Sequence, residues 1–204
     1  MTQDPDAALM LAFQRGDESA FRALYERHAR AMVGYCHRFV KDAARAEELA
    51  QDVFVKLYRA SHRYSPSARF KTFLYRVATN HCLNELRRGV YAALPAGPEL
   101  DEDGRPQAPD LDALPSPDAS PHQALEAARL SGAVGRLLDG LPEKQRAAFV
   151  LCRFEGLSYE EIAETLETSV SAVKSLVHRA TVAAAAALAP FTSAGPGTSH
   201  EVQP

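Results

Sequence analysis

Two short helical patterns separated by a brief polar break, between Leu157 and Arg179, constrain this chain more tightly than any other stretch. The segment reads LSYEEIAETLETSVSAVKSLVHR. Ser158 and Glu161 stand in the S-x-x-E order of a capping box, which predicts a helix starting at Tyr159. Ile162, Ala163 and Leu166 give that helix one apolar face. Glu167, Thr168 and Ser169 interrupt it, and Thr168 or Ser169 is placed to cap a second helix. Val170, Val173 and Val177 recur at three- and four-residue spacing, so they form one inward stripe. Ser171, Ala172, Lys174, Ser175, His178 and Arg179 are left facing outward. This is the layout of a helix-turn-helix, whose second helix suits a DNA major groove. A plain helical hairpin with a solvated face is the alternative. The acidity of the first helix (Glu160, Glu161, Glu164, Glu167) weighs against DNA.

Charge is distributed unevenly. The 204 residues carry a net charge of -3. Residues 1–90 hold 15 Lys and Arg against 10 Asp and Glu, whereas residues 91–124 hold one Arg against seven acids. A basic block, an acidic tether and a near-neutral block suit different partners. No run of 18 apolar residues occurs, so no membrane span is expected. The acidic start MTQDPDAALM lacks the order of a signal peptide. Cys36, Cys82 and Cys152 are odd in number and far apart in sequence, which suits a reducing cytoplasm.

Taken in order, the pattern predicts an all-α chain. A short amphipathic segment carrying Leu9, Leu11 and Phe13 breaks at Gly16, and Asp17 caps a second helix through Phe39. Asp42 caps a third to about Ala60, with Leu49, Val53 and Leu57 on one stripe. A loop from His62 to Arg69 precedes a helix from Phe70 to Arg88. That helix mixes Phe70, Phe73 and Tyr75 with Lys71, Arg76, Arg87 and Arg88. Aromatic faces with interleaved cations suit the segment as a whole to a nucleic-acid surface, whereas any single one of these aromatics reads more readily as core. Residues 91–124, rich in Pro, Asp and Ala, are expected to be a flexible linker. Relaxed they would span roughly 30–35 Å, and fully extended about 110 Å. Helical patterning resumes near His122. Pro142 suits the first residue of another helix, which Gly156 ends, and Pro190 is expected to stop the last one. The expected division is residues 1–90, a disordered acidic linker at 91–124, a helix-turn-helix domain at 125–190 and a disordered tail at 191–204.

Two helical blocks, an acidic tether and a C-terminal helix-turn-helix resemble the extracytoplasmic-function sigma factors of bacterial RNA polymerase. AEELAQDVFVKLYRA (46–60) is similar to the family's core-binding helix, and FKTFLYRVATNHCLNELRR (70–88) to its promoter-melting helix. LPEKQRAAFVLCRFEGLSYEEIAETL and VKSLVHRA are similar to its upstream-element reader. The resemblance implies that Glu47, Glu48, Leu49, Gln51, Asp52 and Phe54 dock on the polymerase's largest subunit. It implies that Arg63, Tyr64, Arg69, Lys71, Thr72, Phe73, Arg76, Asn80, Arg87 and Arg88 serve the -10 element, where a flipped base is captured. It assigns Ser171, Ala172, Lys174, Ser175, His178 and Arg179 to the -35 element. The two elements lie roughly 60 Å apart along B-DNA, within reach of a drawn-out tether whose acids either imitate an RNA backbone or simply keep the linker solvated. An anti-sigma partner is implied as well. Phe73 stands where the family often has Trp. Leu176 replaces a common Arg, and an alanine run replaces a basic end, so weak binding to free DNA is expected.

Other classes fit less well. A sigma-like adaptor that binds an anti-sigma partner without reading DNA is the nearest rival. A stand-alone repressor would need a dimer helix. An enzyme would need a nucleophile and base, or metal ligands. Cys36-His37 and His81-Cys82 are adjacent pairs, which point apart on a helix. The reading is therefore neither an enzyme nor a metalloprotein, and no cofactor is expected.

Overall fold

A computed structural model describes residues 4–66, 69–92 and 121–192. Among them the regular structure is helical: α1 (Pro5–Gln14), α2 (Glu18–Val40), α3 (Ala43–Ala60), α4 (Phe70–Ala92), α5 (Pro121–Gly140), α6 (Glu143–Arg153), α7 (Tyr159–Thr165) and α8 (Val170–Thr192), with a 3-10 turn at Ser61–Arg63. Most of the expected linker, residues 93–120, and the tail from 193 lie outside the described residues. The ends of the expected linker are helical, since α4 runs on to Ala92 and α5 begins at Pro121.

Local chemistry sets most boundaries. The Asp17 carboxylate accepts from the Ser19 amide, and that of Asp42 from the Arg45 amide at 2.6 Å. Ser158 and Glu161 form the reciprocal capping box, and Ser169 Oγ accepts from the Ala172 amide at the start of α8. Pro142 is the residue before α6 rather than its first, and its carbonyl accepts from the Gln145 and Arg146 amides. Pro190 does not stop α8, which continues to Thr192. A proline so near a helix end forfeits few backbone bonds.

The first block, α1 to α4, buries Leu24, Met32, Tyr35, Leu49, Leu57, Phe70 and Leu74. Its buried hydroxyls at the centre are paired. Thr79 Oγ1 donates to the Tyr75 carbonyl and meets the Tyr35 hydroxyl at 2.7 Å. Cys36 and Cys82, distant in sequence, lie with their sulfurs 3.7 Å apart inside this core. The second block, α5 to α8, closes over Leu151, Val150, Ile162, Val173 and Val177. The two blocks are in contact, with α4 against α6 and α7, and α2 against α5.

α1 is a splint for the loop that follows α3. Asp4 Oδ1 accepts from the Asp6 amide, capping α1, while its Oδ2 accepts from the Phe70 amide at 2.9 Å. One carboxylate thus satisfies first-turn donors of two helices 66 residues apart in sequence. Gln14 Nε2 donates to the carbonyls of Ser61 and Tyr64. Substituting Asp4→Ala removes both caps and is expected to cost about 1–3 kcal/mol, read as a lowered urea midpoint. Hydrogen exchange should rise at Phe70 and in the 61–66 turn.

Candidate nucleic-acid interface

The helix-turn-helix forms as its pattern predicts. Glu167 takes a left-handed backbone with φ 50°. The Thr168 amide reaches back to the Ala163 carbonyl at 2.9 Å, and the Glu167 amide to that of Glu164. This is a Schellman-type end, with glutamate where glycine usually sits. Val173 and Val177 are buried, which fixes the rotation of α8. Ser171, Lys174, Ser175, His178 and Arg179 consequently stand fully outward, with Ala172 half-buried beside them. Leu176, half-buried, packs against the core rather than reaching for phosphate.

On the first block, Arg63, Arg69, Lys71, Asn80, Arg87 and Arg88 are exposed, and Arg76 is half-buried with its guanidinium 5.4 Å from the Phe73 ring. Three residues expected at the DNA surface point inward instead. Thr72 is 2 % exposed, Tyr64 5 % and Phe73 6 %, and the Tyr64 and Phe73 rings lie 5.3 Å apart. In this arrangement they hold the loop against α4 and leave polar contact to the cations around them. Exposed cations over a packed aromatic floor suit phosphate binding, because the floor fixes the backbone from which they project.

The polymerase-docking assignment divides in the same way. Glu47, Glu48, Gln51 and Asp52 are exposed on α3, but Leu49 is fully buried and Phe54 is 4 % exposed. Leu49 is therefore core rather than an outward anchor, since it continues the Val53 and Leu57 stripe. The outward apolar groups are ones that pattern alone did not single out: Val55, Tyr58 and, from α2, Tyr25, each more than two-fifths exposed. With Phe21, Gln51, Phe54 and Arg59 they line a groove of about 480 Å³. Its floor is an aromatic cluster, with Phe13 4.8 Å from Phe21 and 4.9 Å from Tyr58. Val55 and Tyr58 lie opposite the α3 core stripe, a signal available in the sequence. Tyr25 joins them only through folding.

Asp52 also meets His81 Nε2 at 3.2 Å, linking α3 to α4. Burial is the main cause of a lowered His81 pKa, Lys56 adds to it, and Asp52 opposes it. The folded chain thus keeps this imidazole neutral below its ordinary value of 6.5. The unfolded chain takes up the proton near 6.5, so stability is highest above that pH. It declines as pH falls through 6.5, levelling only when the folded form is protonated too. The urea midpoint should therefore drop between about pH 7.5 and 5.5 by more in the parent chain than in His81→Gln.

Comparison with known proteins adds an independent line. The family model for sigma-70 region 2 matches residues 24–90, and that for sigma-70, region 4 matches residues 131–182. The RNA polymerase sigma-H factor of Pseudomonas aeruginosa is 34% identical over 195 residues, covering 94% of this chain and 97% of that protein. The ECF RNA polymerase sigma-E factor of Escherichia coli K12 is 29% identical over 185 residues, covering 86% and 90%. Among solved structures, the sigma factor RpoE bound to the anti-sigma factor NepR from Bartonella quintana aligns with a TM-score of 0.61. It is 20% identical, covering 83% of this chain and 96% of that one. Among the described residues, no helix is long and apolar enough to cross a membrane.

Proposed function

This chain belongs to the extracytoplasmic-function group of the sigma-70 family, and from that premise we propose how its surfaces divide a sigma factor's work. Such a factor binds core RNA polymerase and directs promoter recognition, strand opening and the start of transcription. Its role is regulatory, with bond-making left to the polymerase, and its working place is the cytoplasm where that enzyme acts.

The observation that carries the assignment is the outward face of α8. Ser171, Lys174, Ser175, His178 and Arg179 are all exposed on one helix whose rotation is fixed by buried valines. We assign this face to the upstream promoter element, small residues toward base edges and the basic end toward phosphate. Arg63, Arg69, Lys71, Arg76, Asn80, Arg87 and Arg88 are assigned to the downstream element. Tyr64, Thr72 and Phe73 support that surface from beneath. The division into two DNA-reading domains joined by the acidic connector belongs to the same proposal.

Polymerase docking is assigned to α3 and the groove beside it. Exposed Val55 and Tyr58 supply apolar area, while Glu47, Glu48, Gln51 and Asp52 supply an acidic and polar rim suited to a basic helical partner. A solved relative is held by an anti-sigma factor, and a partner of that kind is proposed here too. The rival, an adaptor that reads no DNA, predicts no promoter-specific product in run-off transcription with reconstituted holoenzyme. A start site mapped from a genomic library with that holoenzyme would exclude it.

Two measurements test the division. Val55→Asp should weaken binding to core polymerase at least about tenfold, by placing a charge at the apolar centre, while leaving the folded melting profile near that of the parent. Removing Lys174 and Arg179 together (Lys174→Ala with Arg179→Ala) should lower the salt slope of holoenzyme binding to the upstream element by about two. An unchanged slope would remove both residues from the DNA contact.

A further inference from the structure

Polar contacts at the two ends of α1 converge on the segment between α3 and α4. Asp4 Oδ2 accepts at 2.9 Å from the amide of Phe70, the first residue of α4. At the other end of α1, Gln14 Nε2 donates to the Ser61 carbonyl at 2.7 Å and to the Tyr64 carbonyl at 3.0 Å. The ten-residue helix holds the backbones of Asp4 and Gln14 about 15 Å apart. Its own position is fixed against α2 and α3. Met10 is fully buried, and Phe13 packs on Phe21 and Tyr58. The Asp6 carboxylate meets Arg27 and, at 2.8 Å, His28 Nε2. α1 is therefore a strut with the 61–66 turn at one end and the start of α4 at the other. Within the turn Tyr64 is buried, whereas His62, Arg63 and Ser65 are exposed.

Telling one base from another needs a fixed template. Phosphate contacts tolerate movement, because a long cationic side chain follows its anion, whereas exposed groups on a loose turn adjust to whichever base is offered. A turn held in place rejects the wrong base by leaving polar groups unpaired. Here Gln14 holds the two carbonyls that flank the exposed His62 and Arg63. The Tyr64 ring, 5.3 Å from that of Phe73, ties the same turn to α4. We propose that Asp4 and Gln14 are positioning residues for base selectivity at the downstream element, acting through the 61–66 turn and touching no DNA themselves. The proposal rests on assigning that surface to DNA. Lys71, Arg76, Arg87 and Arg88 lie on α4 beyond the turn. Loosening the turn therefore costs discrimination and leaves the phosphate-driven part of binding in place.

Two substitutions release the ends of the strut and leave α1 itself helical. Asp4→Asn keeps a good helix cap but offers one acceptor oxygen to two amides. Gln14→Met keeps length and helix preference and removes the donor. Circular dichroism verifies folding, and each single variant carries the test if the double variant melts too low. Holoenzyme reconstituted with the double variant transcribes a pool of promoters whose downstream element is randomised, and the run-off products are sequenced. The ratio of the most-used to the least-used base should fall about fivefold or more at one position of the element. Each single variant should lower it less. The salt slope of holoenzyme binding to a fixed promoter should stay as in the parent. In the free chain, hydrogen exchange in the 61–66 turn should rise by about tenfold. Val53→Ala opens a cavity in the core of the same block without touching the strut. It should lower product from every sequence in equal proportion.

An unchanged base preference in the double variant would overturn the proposal, as would an equal loss of preference in Val53→Ala. Unchanged exchange in the 61–66 turn would overturn it without reference to DNA. Raised exchange in a chain whose parent holoenzyme shows no base preference at the downstream element would overturn the assignment of that surface, and the proposal with it. The two failures are therefore distinct.

Discussion

A helix that must serve two neighbours cannot be optimised for either, and α4 is in that position. One side carries Phe70, Leu74, Ala78 and Cys82 into the core shared with α2 and α3. Another side carries Lys71 and Tyr75 against the elbow that links α6 to α7. The apolar contacts fix where the helix lies, because close-packed side chains tolerate little displacement. The polar contacts then follow from that placement. They are weaker and exchangeable, and this suits the phosphate-binding role proposed for that surface.

The same separation of labour runs through the other surfaces. On α3, Leu49, Val53 and Leu57 hold the helix down while acids and two large apolar groups face out. On α8, Val173 and Val177 hold, and the polar residues between them face out. In each case a buried stripe supplies rigidity, and the opposite face, proposed for recognition, is presented at little further conformational cost. The aromatics Tyr64 and Phe73 belong with the holding residues. Their rings fill the space between the loop and α4, where an exposed position would leave that loop without a floor.

What could be read from the sequence was local. Capping by Asp17, Asp42 and the Ser158–Glu161 pair depends on residues two or three apart, and the structure has each of them. The valine stripe of α8 likewise follows from helical repeat. Residues brought together by folding were not legible. Nothing in the spacing places Cys36 beside Cys82, sends the Asp4 carboxylate to the Phe70 amide, or adds Tyr25 to the groove beside α3. Leu49 and Phe54 show the opposite difficulty. A family pattern marks the proposed docking helix as a whole, but only the fold separates the side that packs inward from the side that faces out. The glutamates of α7 were legible as charge, and the Arg69 that faces Glu161 from the other block was not.

The left-handed backbone at Glu167 has a consequence for how the last helix is presented. A residue with a Cβ held there stores about 1–2 kcal/mol of unfavourable torsion, and the two amide bonds that close the end of α7 hold it in place. The bend between α7 and α8 is accordingly a fixed corner and not a joint. Any reorientation of the α8 face must carry α7 along, so that the pair moves as one tool whose angle was set when the chain folded.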